Sequence, residues 1–122
     1  MAFGTLKADT LTHSTAGSLD TNYVVEGSAK HWIHFNLSSP SIYGSFNTTS
    51  ITDDGTGEAT VTLTNAMSGA DGWAIVGSTD GNQVKIRSLV GTASTYDHDT
   101  QNSSGGLEDR DDNSAIATGD LA

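Results

Sequence analysis

The chain has 122 residues, with 15 acidic against 5 basic side chains, a net charge of -10, 14 glycines, one proline and no cysteine. That length argues for one domain able to bury a core without staples, and the lack of cysteine excludes a disulfide scaffold and thiolate chemistry. The negative charge argues against binding nucleic acid or an anionic membrane surface.

Residues 1–22 scatter Phe3, Leu6, Leu11 and Leu19 among Thr, Ser, Asp and Gly with no sustained period. They read as an extended N-terminal arm, with one short strand near Thr5–Lys7, whose apolar side chains need a partner surface. Residues Met1–Lys7 contain no apolar run of the secretory type. The Asn-x-Ser/Thr triplets at Asn36, Asn47 and Asn102 are then read as accidents of a Ser/Thr-rich chain. No apolar run approaches the ~20 residues of a membrane span.

Strand signals begin at Tyr23–Val25. From His31 to Leu37 the pattern alternates, with Ile33, Phe35 and Leu37 on one face and Trp32, His34 and Asn36 on the other. Short strands are expected at Ile42–Asn47 and Ser50–Thr52. Asp53-Asp54-Gly55-Thr56-Gly57 reads as a hairpin turn, because Asp-Gly supplies positive φ. Glu58–Thr64 is its return strand, with Ala59, Val61 and Leu63 inward. Trp73–Ser78 is apolar on both faces and reads as a central strand. Asp80-Gly81 marks another turn, and Val84–Ser88 alternates with Val84 and Ile86 inward. Residues Tyr96–Asn113 are polar and acidic and read as a solvated loop, before a last strand at Ser114–Thr118. Nowhere do ten residues show helical periodicity. Short strands between frequent turns predict an all-β fold, an antiparallel β-sandwich or small barrel over residues 23–122, preceded by the arm.

Candidate chemistry is sparse. His31 and His34 stand three apart, which on a strand puts them on opposite faces and rules out one shared metal. The Asp53–Glu58 segment lacks the spacing of a calcium loop. Asp97-His98-Asp99 and the run to Asp112 read as solvated acid, with weak calcium binding as the alternative. No nucleophile elbow or phosphate loop appears, so neither a catalytic residue nor a cofactor or metal is expected. The aromatics remain as candidates. Trp32, Trp73 and Tyr96 are suited to stacking on sugars or to a subunit interface. Trp32 points away from Ile33 and Phe35, so it either fills a second core layer or meets a partner.

The leader Gly4–Lys30 is similar to that of small virion structural proteins of tailed, many of them marine, bacteriophages, described as tail-fibre-like or structural. Trp32–Asn36 resembles that group's Trp-x-x-Phe-Asn strand. Ser45-Phe46-Asn47, Ser50–Gly57, Asn65-Ala66-Met67 and Gly119–Ala122 resemble further elements of it. The likeness runs from residue 4 to residue 122, is specific at the leader and the Asp-Asp-Gly hairpin, and is weak across 79–113. His31 and His34 depart from it, and so does the acidic segment Glu108–Asp112.

The resemblance implies a non-enzymatic component of the virion, with other virion proteins (capsid or tail) as partners, a homotrimeric state, and no nucleic acid or membrane. The resemblance leaves capsid and tail placement open; small size and the lack of a long fibre shaft favour a surface decoration or short protrusion, with Phe3, Leu6, Leu11 and Leu19 as the expected docking residues. The alternative is a tail-fibre or adaptor module touching the host surface, with carbohydrate contact through Trp32, His34 and Tyr96.

Overall fold

Period-two alternation organises the chain from Ala29 onward, and it does so with few apolar residues. The computed structural model describes residues 4, 7–81 and 85–122, with backbone alone at residue 13 and residues 85–88. The elements in order are β1 (Thr10–His13), β2 (Gly17–Asp20), α1 (Thr21–Gly27), β3 (Ala29–Asn36), β4 (Ser41–Phe46), β5 (Thr48–Gly55), β6 (Glu58–Leu63), β7 (Trp73–Thr79), β8 (Lys85–Val90), β9 (Thr95–Gln101) and β10 (Asn113–Gly119). Two four-stranded antiparallel sheets, β4-β3-β10-β7 and β5-β6-β9-β8, form an all-β sandwich, and β1-β2 is a separate hairpin. Among the described residues, Ile33, Phe35, Leu37, Ala115, Ala117 and Trp73 face inward from the first sheet, and Ala59, Val61, Leu63 and Tyr96 from the second. Met67 joins them from the β6–β7 connection.

Several expectations need correction. Tyr23–Val25 lies in α1, not in a strand. β propensity expresses packing against a neighbour, and these three side chains are exposed. The helical turn starts where Thr21 is tied back to the preceding backbone, its N–H to Asp9 O at 3.0 Å and its hydroxyl to Ala8 O at 2.7 Å. Trp73–Thr79 is an edge strand, not a central one, with Val76 on the solvent side. Within the arm, residues 10–20 pair as a hairpin, with Leu11 opposite Leu19. Phe3, Leu6, the proposed strand start at Thr5, Val84 and the Ile86 side chain lie outside the described residues.

The Asp-Asp-Gly hairpin exists, but its tight turn is centred on Thr56-Gly57, because Gly55 still pairs with Glu58. Gly57 has φ 72°, and a Cβ there would meet Thr100 O and Glu108 N at 2.6 Å. The turn is therefore pressed against the segment 100–108 and admits only glycine.

The largest correction concerns Tyr96–Asn113. Its first part is β9, a central strand that pairs with β6 and β8. Tyr96, His98 and Thr100 alternate inward and are fully buried. The period of two was present, but its inward members are polar, so a hydrophobic pattern could not show it. The acidic remainder caps backbone. Asp109 Oδ1 accepts the Gly57 N–H at 2.6 Å, and Asp112 O accepts the Asp80 N–H at 2.9 Å. Arg110 O accepts the Leu37 N–H at 2.9 Å and the Asn113 side-chain amide at 2.8 Å.

Burial in the core holds His98 well below its ordinary range, at about 4, although the Asp99 carboxylate and a bond to the Asn113 side chain favour its charged form. His31 is lowered in the same way by burial, against opposing hydrogen bonds with the Asn47 and Phe46 backbone. The unfolded chain takes up the His98 proton near 6.5, the folded chain only near 4. Stability therefore falls as pH drops between these values, by about 3 kcal/mol once pH reaches the lower one. Denaturant titrations at neutral pH and at the lower limit should show this loss, and His98→Gln should flatten it. An equally stable wild-type chain at both pH values would contradict a neutral, buried His98.

Candidate functional site

The sheets are joined by aromatic and imidazole side chains that meet edge to face. His31 on β3 and Tyr96 on β9 lie 5.4 Å apart between ring centres, with His31 Nε2 3.0 Å from the Tyr96 hydroxyl. His31 Nδ1 lies 3.2 Å from Thr48 Oγ1. Phe35 meets His98 at 5.1 Å, and Trp73 meets Tyr96 at 6.1 Å. Asn113 accepts a hydrogen bond from Thr79 Oγ1 at 2.7 Å. Burial raises the Tyr96 hydroxyl above its ordinary range, so it stays neutral. These titratable groups are perturbed in the way catalytic groups are, yet His31, Tyr96 and His98 each have 0% exposure. They lie closed off between the sheets, where His31 and Tyr96 bond each other and His98 bonds the side chain of Asn113. Tyr96 is accordingly not an exposed contact residue. Among the described residues no three His, Cys, Asp or Glu side chains gather as a metal site, and no helix is long and apolar enough to cross a membrane.

What the surface offers is apolar. On the outer face of β4-β3-β10-β7, Phe46 stands opposite Trp32, Trp32 opposite Ile116, and Ile116 opposite Val76. One exposed apolar side chain per strand thus makes a row across the whole sheet, with exposures of 55, 44, 45 and 66% in that order. The Trp32 ring lies along Gly44, where a Cβ would sit 3.4 Å from two of its ring atoms. Glycine on β4 therefore lets the indole lie flat over the neighbouring strand. His34 follows Trp32 on the same face. Its Nε2 is 2.6 Å from Asp112 Oδ1, and its ring stands 4.9 Å from Tyr43. Tyr43 in turn accepts the Asn36 amide at 2.9 Å. Trp32 and His34 are thus neighbours on the outer face of this sheet, whereas Tyr96 is buried between the two sheets.

The second apolar surface is the N-terminal segment. Leu11 and Leu19 sit side by side on the hairpin, and Tyr23, Val24 and Val25 follow on α1. All five are exposed. Leu11, Val24 and Val25 line one concave surface with Lys7, Asp9 and Thr21. Of the residues expected to dock the arm, Leu11 and Leu19 are here, and Phe3 and Leu6 fall outside the described residues.

Phe46, Ile116 and Val76 were not singled out in the sequence. The available signal was Trp73–Val76, apolar on both faces; a central position was the simplest account of it, and an edge strand with an outward apolar side chain is the observed one. Comparison of the chain with family models, with curated proteins and with solved structures finds no match.

The two tryptophans report this geometry separately. Trp32→Phe, which leaves the buried Trp73 (8% exposed), should give blue-shifted emission that resists acrylamide. Trp73→Phe, which leaves Trp32, should give red-shifted, readily quenched emission. Equal quenching in the two variants would contradict the assignment of faces.

Proposed function

We propose that the chain is a non-enzymatic structural module of a bacteriophage virion, a surface decoration or short protrusion that docks on other virion proteins through its N-terminal segment. The observation that carries this reading is the segment itself. Residues 10–27 lie outside both sheets of the sandwich and present Leu11, Leu19, Tyr23, Val24 and Val25 to solvent, and none of the helix residues is buried. Exposed apolar groups grouped in this way mark an interaction site. Covering them with a partner offsets the cost of holding so short a hairpin and helix in one arrangement.

The likeness of the leader and of the Asp-Asp-Gly hairpin to small virion proteins supplies the setting. The chemistry of the core supports a structural role, since the perturbed histidines and tyrosine are sealed between the sheets. In this reading the sandwich projects from the particle, and its negative charge faces solvent.

Leu11→Asp combined with Leu19→Asp places two carboxylates where the hairpin would meet its partner. Losing two buried leucines is expected to lower incorporation into particles by at least tenfold, on the order of 1.5–3 kcal/mol for each leucine. Circular dichroism should show the sandwich intact. Undiminished incorporation of the doubly substituted chain would overturn docking through this segment.

A further inference from the structure

We propose that two copies of the chain associate face to face through the outer surface of the β4-β3-β10-β7 sheet, about a two-fold axis that runs along the strands between β3 and β10. This goes beyond docking on a particle and uses a different surface.

Shape is the first reason. The row Phe46–Trp32–Ile116–Val76 has its two aromatic residues on β4 and β3 and its two aliphatic residues on β10 and β7. Rotation about that axis reverses the row. Phe46 then meets Val76 of the second copy, and Trp32 meets its Ile116. Large side chains face smaller ones at every position, which is how packed layers interdigitate. The adjoining row, Gly44–His34–Ser114–Ser78, reverses just as well. His34 meets Ser114, and Gly44 meets Ser78, whose hydroxyl is already 2.7 Å from that of Ser114. An isologous contact of this kind requires a patch that is complementary to itself.

Charge is the second reason. Each copy carries -10, so association must avoid the acidic surfaces. In the other sheet Thr60 stands opposite Asp97 with Asp54 bonded to Thr60 beside them, and Asp99 stands between Glu58 and Arg87, so that face carries charge of both signs rather than an apolar row. The central rows of the first sheet contain no carboxylate. Asp80 lies beyond the end of β7, and Asp112, at the end of β10 beside the axis, has its carboxylate held against His34 in each copy.

Size sets the strength. Four strands at ~4.8 Å spacing and about six residues at ~3.4 Å give a face of roughly 400 Å² per copy. Two such faces fall below the ~1,200 Å² of a standard interface. The dimer is therefore weak and reversible, with a Kd in the micromolar range or above.

Sedimentation equilibrium of the full chain from about 1 μM to about 1 mM spans that range. The mass should rise from 12.6 kDa toward twice that value. Ile116→Asp puts an unpaired charge against Trp32 of the second copy and should weaken association by about a hundredfold or more. Val76→Lys and Phe46→Glu should each weaken it alone. Because these positions face one another across the axis, the chain carrying both substitutions should recover at least tenfold of the loss from a single charge. Thr60→Asp on the opposite sheet should weaken it no more than threefold. A mass that stays at one copy throughout, a mass that climbs to three copies, or no recovery in the doubly substituted chain would each overturn the proposal. So would a soluble glycan that binds Trp32 in a chain that does not self-associate.

Discussion

The sandwich depends on the contact between β3 and β9, where His31 meets Tyr96 and Phe35 meets His98. The chain is only 34% hydrophobic, so its inner layer cannot be apolar throughout. Imidazole and phenol rings supply bulk in place of missing leucines and valines. They are tolerated because several of their polar atoms are paired. The Tyr96 hydroxyl has His31, His31 also has Thr48, and His98 bonds the side chain of Asn113. Removing one member would leave the others buried and unpaired, which costs more than the bond itself contributes. The same arrangement requires the histidines to be neutral, and this ties the fold to pH.

Because the inner faces are consumed by this clasp, whatever the protein does must be done from its outside, and the two outsides differ. The sheet containing β6 and β9 carries threonine and acid, which keep it solvated. The sheet containing β3 and β10 carries a row of apolar side chains between small polar ones. The acidic segment after β9 is not free charge, since Asp109 caps the Gly57 turn and Asp112 holds His34. Part of the net charge is thus structural. The proposed contact between copies uses the sheet face whose central rows lack carboxylates.

The sequence made the strands with apolar inward positions legible. Ile33, Phe35 and Leu37 fall on one face, as do Ala59, Val61 and Leu63, because alternation in hydropathy is the direct mark of a half-buried strand. β9 escaped because His98 and Thr100 are polar on its inner face. α1 escaped because Tyr-Val-Val favours strands wherever a neighbour is present, and its three side chains lie in solvent. The direction of Trp32 could be read from its parity with Ile33. Its partners could not, since Phe46, Ile116 and Val76 come from three distant parts of the chain, and only register brings them into line. Tyr96 shows the reverse error, because an aromatic residue in polar surroundings looks exposed until its strand is found to be central.

The central claim is that the inner faces are complete and that contact between copies falls to one outer face. Resonance shifts recorded while the chain is diluted test it most directly. Amide and indole signals of Trp32, Phe46, Ile116 and Val76 are expected to move together, while β5, β6 and β9 and the β1–β2 hairpin stay fixed. Shifts that centre on β6 and β9 or on the hairpin, or signals that do not move over the whole dilution, would contradict it.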